Sequence, residues 1–290
     1  MTSQNIKILL ENLTHCNLCP IKCGANRKKQ KGVCGAGAEI KIASHNVHFG
    51  EEPAISGQKG SGTIFFSYCS LHCKFCQNYP ISQLGNGVEI SVEKLAQIML
   101  DLQAKQVHNI NLVSPTHFFA QIAQGVYLAK TQGLKIPIIY NGGGYENVET
   151  LKLLEGSIDI YMPDCKYALD ELAYKYSGIK NYCAHNKNAL LEMQRQVGQL
   201  VLDKNSIAKK GLLIRHLVLP QNLQNSKKVL EFIAKTLSTK TFISIMSQYH
   251  PAYKAYEFEE LSHKLTLSAY QQVLDYMDEL GFENGWRQEV

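Results

Sequence analysis

Six apolar runs rich in β-branched residues, at 62–68, 108–113, 136–140, 157–162, 211–219 and 241–246, recur along this chain with helical patterns between them. Their hydrophobicity is nearly continuous, as expected of parallel strands covered on both faces. Parallel neighbours need crossover connections, and these are right-handed almost without exception. Six such units fit an α/β fold, a partial (β/α)6 barrel. Loops at the C-terminal ends of the strands build the site in such folds, so the motifs after each run should converge on one cleft. The clearest helix carries Val92, Leu95, Ala96, Met99 and Leu102 on one face, with Ser91 as its N-cap. Near the C-terminus, Ser268 with Gln271 reads as a capping box opening the last helix, and Gly281 as its stop signal. Residues 187–210 read as a polar and helical insertion before the fifth strand.

The first run leads straight into three cysteines. Residues 67–78 are Ser-Tyr-Cys-Ser-Leu-His-Cys-Lys-Phe-Cys-Gln-Asn, so Cys69, Cys73 and Cys76 have the spacing C-x3-C-x2-C. Such a loop can wrap three thiolates around one face of a cubane iron–sulfur cluster. A fourth cysteine would saturate the cluster and suit it to electron transfer. Three leave one iron open, as catalytic zinc keeps an open position. The natural occupant is the amino and carboxylate groups of S-adenosylmethionine (SAM), a cofactor of radical chemistry. On spacing alone the alternatives are a disulfide set, or a zinc site completed by His72 or Cys34.

A second group, Cys16, Cys19, Cys23 and Cys34, has the spacing C-x2-C-x3-C-x10-C, with Pro20, Gly24, Gly32 and Gly35 supplying turns. Four thiolates at this spacing can close a tetrahedral zinc site or hold an auxiliary cluster. A module this small buries little core, so a metal would largely hold it together. The expected division is a metal-binding module over 1–50 and a core barrel over 51–290. Seven of the nine cysteines fall in these two groups, which favours metal ligation in a reducing, cytoplasmic compartment. Cys165 and Cys183 read as buried, inert thiols.

The net charge of +5, Lys+Arg 30 against Asp+Glu 25, is a mild excess that does not call for a nucleic-acid partner. The one basic run, 27–31, reads as a solvated loop. No stretch is long and apolar enough to span a membrane, and the N-terminus lacks the features of a signal peptide.

The pattern C-x3-C-x-aromatic-C, with Phe75 as the aromatic, resembles the signature of the radical SAM superfamily. The flanking text is similar to the PflX branch, which is related to the activating enzymes of pyruvate formate-lyase. It includes Glu-Glu-Pro-Ala-Ile-Ser at 51–56, Gly-Ser-Gly-Thr-Ile-Phe-Phe at 60–66, Ser-Pro-Thr-His-Phe at 114–118, Asp-Ile-Tyr-Met-Pro-Asp-Cys-Lys-Tyr at 159–167, Arg-His-Leu-Val-Leu-Pro at 215–220 and Met-Ser-Gln-Tyr-His-Pro at 246–251. The resemblance implies a radical SAM barrel and reductive cleavage of SAM to a 5′-deoxyadenosyl radical. It also implies an electron donor such as flavodoxin or ferredoxin, with a backbone glycine of a partner protein as one candidate substrate and a different protein, an RNA or a small molecule equally open. The rival class is a non-catalytic iron–sulfur electron-transfer or metal-binding protein.

The same resemblance marks SAM contacts. Asp164 and Lys166 match a D-x-K that contacts SAM, and His250 matches a Tyr-His pair. Phe75 is expected near the adenine, and Asn141 at the opening of a Gly-Gly-Gly run. An Arg215 inside the fifth strand needs a partner, either the SAM carboxylate or a buried acid. His117 and His216 read as structural. The activating enzymes' Gly-Gly-Glu after the second strand is replaced by Ser114-Pro-Thr, with Ser114 as the available substitute.

Overall fold

The computed structural model describes residues 2–288. Its sheet holds β1 (Ile40–His48), β2 (Ser61–Phe66), β3 (Val88–Ile90), β4 (Ile110–Val113), β5 (Ile138–Gly142), β6 (Ile160–Pro163), β7 (Val201–Leu202), β8 (Ala208–Leu217), β9 (Phe242–Met246) and β10 (Gly285–Arg287). The spatial order is β3-β1-β2-β4-β5-β6-β8-β9-β10, with β7 paired to β8. From β2 through β6 to β10 the neighbours along this path are parallel, whereas β1 runs antiparallel to both β2 and β3. Among the described residues no ladder joins β10 to β3, so the barrel is open on one side. The six expected runs are β2, β4, β5, β6, β8 and β9.

Side chains alternate along each strand, and the two faces have separate destinies. Outward residues such as Leu112, Tyr140, Ile214 and Ile245 join the main core beneath the helices. Inward residues Ile139, Ile160, Met162 and Leu213 pack in the lumen against Ala54 and Ile55. Those two belong to a one-turn helix, Pro53–Ser56, that follows β1 and plugs the lumen from below. Asn109 pins the plug by donating to the Ile55 carbonyl at 2.8 Å.

Three expectations change. The last helix spans Leu267–Glu279, and its cap is Thr266, whose hydroxyl accepts from the Ala269 N–H; Ser268 lies inside the first turn. The stretch 187–210 is no insertion. Its first part belongs to the crossover helix Tyr182–Val197, which buries Ala189, Leu190 and Met193, and the rest leads into the β7–β8 hairpin. Arg27 is not solvated. It is 2% exposed and donates to the carbonyls of Gly37 and His117, so its charge is met by peptide dipoles. Ser91 caps Val92–Ala104 as expected, its hydroxyl accepting from the Lys94 N–H.

The expected boundary at residue 50 falls just after a strand hydrogen-bonded into the main sheet. Leu9, Leu13, Leu18 and Ile40 lie in the same core as the outward faces of β2 and β4.

Candidate active site

The three cysteines follow β2 directly, at the C-terminal edge of the sheet. Tyr68 turns the chain with φ of +70°. Each thiol then meets a hydrogen-bond donor or hydroxyl. The Leu71 N–H lies 3.4 Å from Cys69 Sγ, Ser177 Oγ donates to Cys73 Sγ at 3.1 Å, and Ser82 Oγ sits 3.1 Å from Cys76 Sγ. Burial pushes the Cys69 and Cys73 thiols up, with Lys166 pulling both the other way. The loop sits in an aromatic pocket with Phe75, Tyr167, Tyr176 and Tyr249, and no other cysteine belongs to this cluster. Soft thiols, each within reach of a donor or hydroxyl and two of them near the Lys166 cation, offer the ligand chemistry of an iron–sulfur cluster. Among the described residues no three His, Cys, Asp or Glu side chains close around a single bare ion. Thiolates on separate irons of a cubane stand farther apart than the ligands of one ion.

Facing the loop, the inward positions of β5, β6 and β8 bring four candidates into one network. Arg215 Nη2 donates to Asn141 Oδ1 at 2.8 Å, and its Nε to Asp164 Oδ1 at 3.3 Å. Lys166 Nζ donates to Asp164 Oδ2 at 2.5 Å. Burial alone would raise the Asp164 carboxyl; Lys166 and Arg215 outweigh it and hold it below its ordinary value. Burial likewise disfavours the Lys166 charge, and Asp164 more than compensates. Gly144 is obligatory here: it has φ of +74°, and a Cβ would stand 1.9 Å from the Asp164 carbonyl. Arg215 thus takes the buried ion-pair alternative. The parallel bridge between Asp164 and Arg215 and the Cys165 N–H to Arg215 carbonyl bond (2.8 Å) fix their register.

The remaining candidates are more dispersed. Ser114 ends β4 with φ of +57°, its N–H bonded to the Asn141 carbonyl. His250 Nδ1 lies 3.1 Å from Gln77 Nε2, beside the cysteine loop. Phe75 packs against Tyr249 and Tyr176, with ring centroids 6.1 and 6.5 Å away. His216 points outward, satisfied by the Cys165 carbonyl (2.7 Å) and Ser226 Oγ (2.9 Å), and burial lowers it to about 4. His117 reaches the Ser67 carbonyl at 2.7 Å, and burial lowers it to about 3. Both are structural. Cys165 is buried in the main core and Cys183 is half-buried.

The N-terminal thiols are gathered in a way that spacing alone could not show. The backbone N–H two residues on bonds Cys19, Cys23 and Cys34, from Ile21, Ala25 and Ala36, opposing the effect of burial. A Cβ built at Gly32 would lie 3.5 Å from both Cys23 Sγ and Cys34 Sγ. Ile21, between Cys19 and Cys23, packs on the aromatic cluster that holds Cys73.

Sequence reasoning missed three acids. Glu51 accepts from Asn111 Nδ2 (3.0 Å) and Arg215 Nη1 (3.3 Å), and burial raises its carboxyl against the pull of Arg215. Glu52 is buried beside it. Glu146, after β5, accepts from Thr116 Oγ1 at 3.2 Å, and burial raises it to about 7. Glu51 and Glu52 belong to the 51–56 segment that carries the family resemblance, which assigns them no site role.

Comparison with known proteins agrees with this geometry. A family model described as a 4Fe-4S single cluster domain matches residues 55–183, which include the three cysteines, Asn141, Asp164 and Lys166. The chain is 28% identical over 289 residues to the uncharacterized protein MJ0674 of Methanocaldococcus jannaschii, across 96% of this chain and 78% of that one. Among solved structures, methylornithine synthase (PylB) aligns with a TM-score of 0.53 at 15% identity, over 96% of this chain and 70% of its own. Streptococcus suis SuiB bound to S-adenosylmethionine aligns at 0.52 and 13% identity, over 77% of this chain and 48% of its own. This chain therefore aligns with about half the length of SuiB. These solved structures show the fold alone, and residues 55–183 are similar to a 4Fe-4S single cluster domain. The chain is similar along nearly its whole length to the Methanocaldococcus jannaschii protein.

Proposed function

We propose that this chain is a radical SAM enzyme, in which Cys69, Cys73 and Cys76 would hold a [4Fe–4S] cluster that would supply the electron for reductive cleavage of SAM and hydrogen abstraction from substrate. The observation that carries the reading is the pairing of three donor-backed thiols, without a fourth in their cluster, with a buried acid–base network at the neighbouring strand ends. Saturated electron-transfer clusters need no such network.

Asp164 would accept from the SAM ammonium and Lys166 would face its carboxylate. Arg215 holds Asp164 and Asn141 in place from below. Ser114 supplies oxygen where the activating enzymes carry an acid, His250 borders the cluster loop, and Phe75 walls the adenine side. The apolar lumen residues Ile139, Ile160, Met162 and Leu213 would limit water near a carbon radical. A flavodoxin- or ferredoxin-type protein would supply the electron. The four N-terminal thiols would hold a second metal group, zinc or an iron–sulfur cluster; backbone N–H groups already meet Cys19, Cys23 and Cys34, and zinc would require the thiols to draw closer together. Hydrogen abstraction from a partner's backbone glycine rests on the resemblance alone.

Anaerobic reconstitution, reduction with dithionite and assay of 5′-deoxyadenosine test the reading, with iron and zinc counted per chain. SAM-dependent 5′-deoxyadenosine is expected; its absence alongside a full cluster would refute it.

A further inference from the structure

The lumen floor carries a carboxylate that its neighbours leave unanswered. The Pro53–Ser56 plug follows Glu51 and Glu52, and its Ile55 and Ser56 N–H groups bond the Glu52 carbonyl, fixing that residue at the floor. A cavity of about 240 Å³ opens between this segment and β8–β10, lined by Glu51, Glu52, Arg215, Ser244, Met246 and Gln248 among others. One of its walls is β10, the strand at one end of the sheet order.

The charges around it are committed elsewhere. Arg215 serves Asp164, Glu51 and Asn141. Lys166 serves Asp164, and Arg287 pairs with Asp278. Glu51 is taken by Arg215 and Asn111. Glu52 remains, 8% exposed, with Oε2 buried and without a hydrogen-bond partner among the described residues. Arg215 acts on Glu52 through space but makes no hydrogen bond to it, and a buried polar atom left without a partner is costly; a cation entering the cavity would give Oε2 a direct one. Met246 offers an apolar wall and Gln248 an amide beside it.

We propose that this cavity is the substrate site, and that it takes an aliphatic substrate through a protonated amine paired with Glu52. The chemistry rests on the radical SAM reading, but the binding does not. In turnover a C–H bond of the alkyl chain would break homolytically. The hydrogen atom joins C5′ to give 5′-deoxyadenosine, a carbon radical stays on the substrate, and the reduced cluster has supplied the single electron.

The probe is n-butylammonium, with butanol and butyrate as controls, on the full reconstituted chain. Equilibrium dialysis should show retention of butylammonium only, weakened about tenfold or more in Glu52→Gln, the scale of one hydrogen bond to a charged group. Met246→Trp fills the cavity from another wall and should also abolish retention. Under turnover, perdeuterated butylamine should place deuterium in 5′-deoxyadenosine, counted per molecule formed, and perdeuterated butanol should not. Equal retention of butanol, or butylammonium binding unchanged in both variants, would overturn the amine site. Selective, Glu52-dependent retention without 5′-deoxyadenosine would uphold the site and sink the radical reading.

Discussion

Glu146 gives a direct readout of how strongly the interior resists charge. Its carboxyl is buried, accepts from Thr116 with Tyr140 and the Gly144 N–H also drawing it down, and leaves Oε2 unpartnered among the described residues. Burial lifts it from 4.5 to about 7. The folded state therefore holds the proton more tightly than the unfolded chain. That stabilisation is complete below about pH 4.5 and is lost as pH rises through about 7. The full effect is about 3 kcal/mol, of which about 2 kcal/mol falls between pH 5.5 and 8.5. Glu146→Gln keeps the shape and removes the charge, so the variant should gain on the wild type as pH rises across that window. Melting temperatures of the two metal-loaded proteins, measured in parallel at each pH, should diverge by roughly 3 °C. Parallel pH profiles, or a variant that loses ground at high pH, would refute the reasoning.

Other substitutions separate the parts of the account. Arg215→Met leaves Asp164 and Glu51 buried without their cation and should cost about 3–5 kcal/mol in denaturant unfolding; adding Glu51→Gln should restore part of it, and no recovery would contradict the pairing. Cys16→Ala should lower zinc per chain and folding yield if the N-terminal group holds zinc, but iron per chain if it holds a cluster. Ser177→Ala removes the hydroxyl that bonds Cys73, so the cluster's midpoint potential should fall, read by redox titration. Thr266→Ala should cost about 1 kcal/mol of stability through the lost cap, with Ser268→Ala nearly neutral.

The six parallel strands were legible because each is a continuous apolar run, buried on both faces. β1 was not: over Ile40–His48 its apolar residues are interrupted by Lys41, Ser44, His45 and Asn46, since much of it is exposed. The cap of the last helix was misplaced because Thr266 and Ser268 both offer a hydroxyl, and only the backbone turn decides which one is used. The site divided along similar lines. Cysteine spacing and the D-x-K pair are local patterns, and both landed where expected at the sheet's C-terminal edge. Arg215 announced itself as a charge inside a strand, but its partner Glu51 lies 164 residues away in sequence. Glu52 and Glu146 are ordinary loop acids in the sequence. Their burial is a product of the plug and of the chain packed over β5, and no local pattern encodes it.

The central claim is tested most directly by electron paramagnetic resonance of the dithionite-reduced, reconstituted protein before and after SAM, with 5′-deoxyadenosine assayed on the same sample. The account predicts a reduced-cluster spectrum that changes on adding SAM, together with SAM-dependent 5′-deoxyadenosine that disappears in Cys73→Ala. A fully loaded cluster whose spectrum is indifferent to SAM, with no 5′-deoxyadenosine formed, would contradict it and favour an electron-transfer or metal-binding protein.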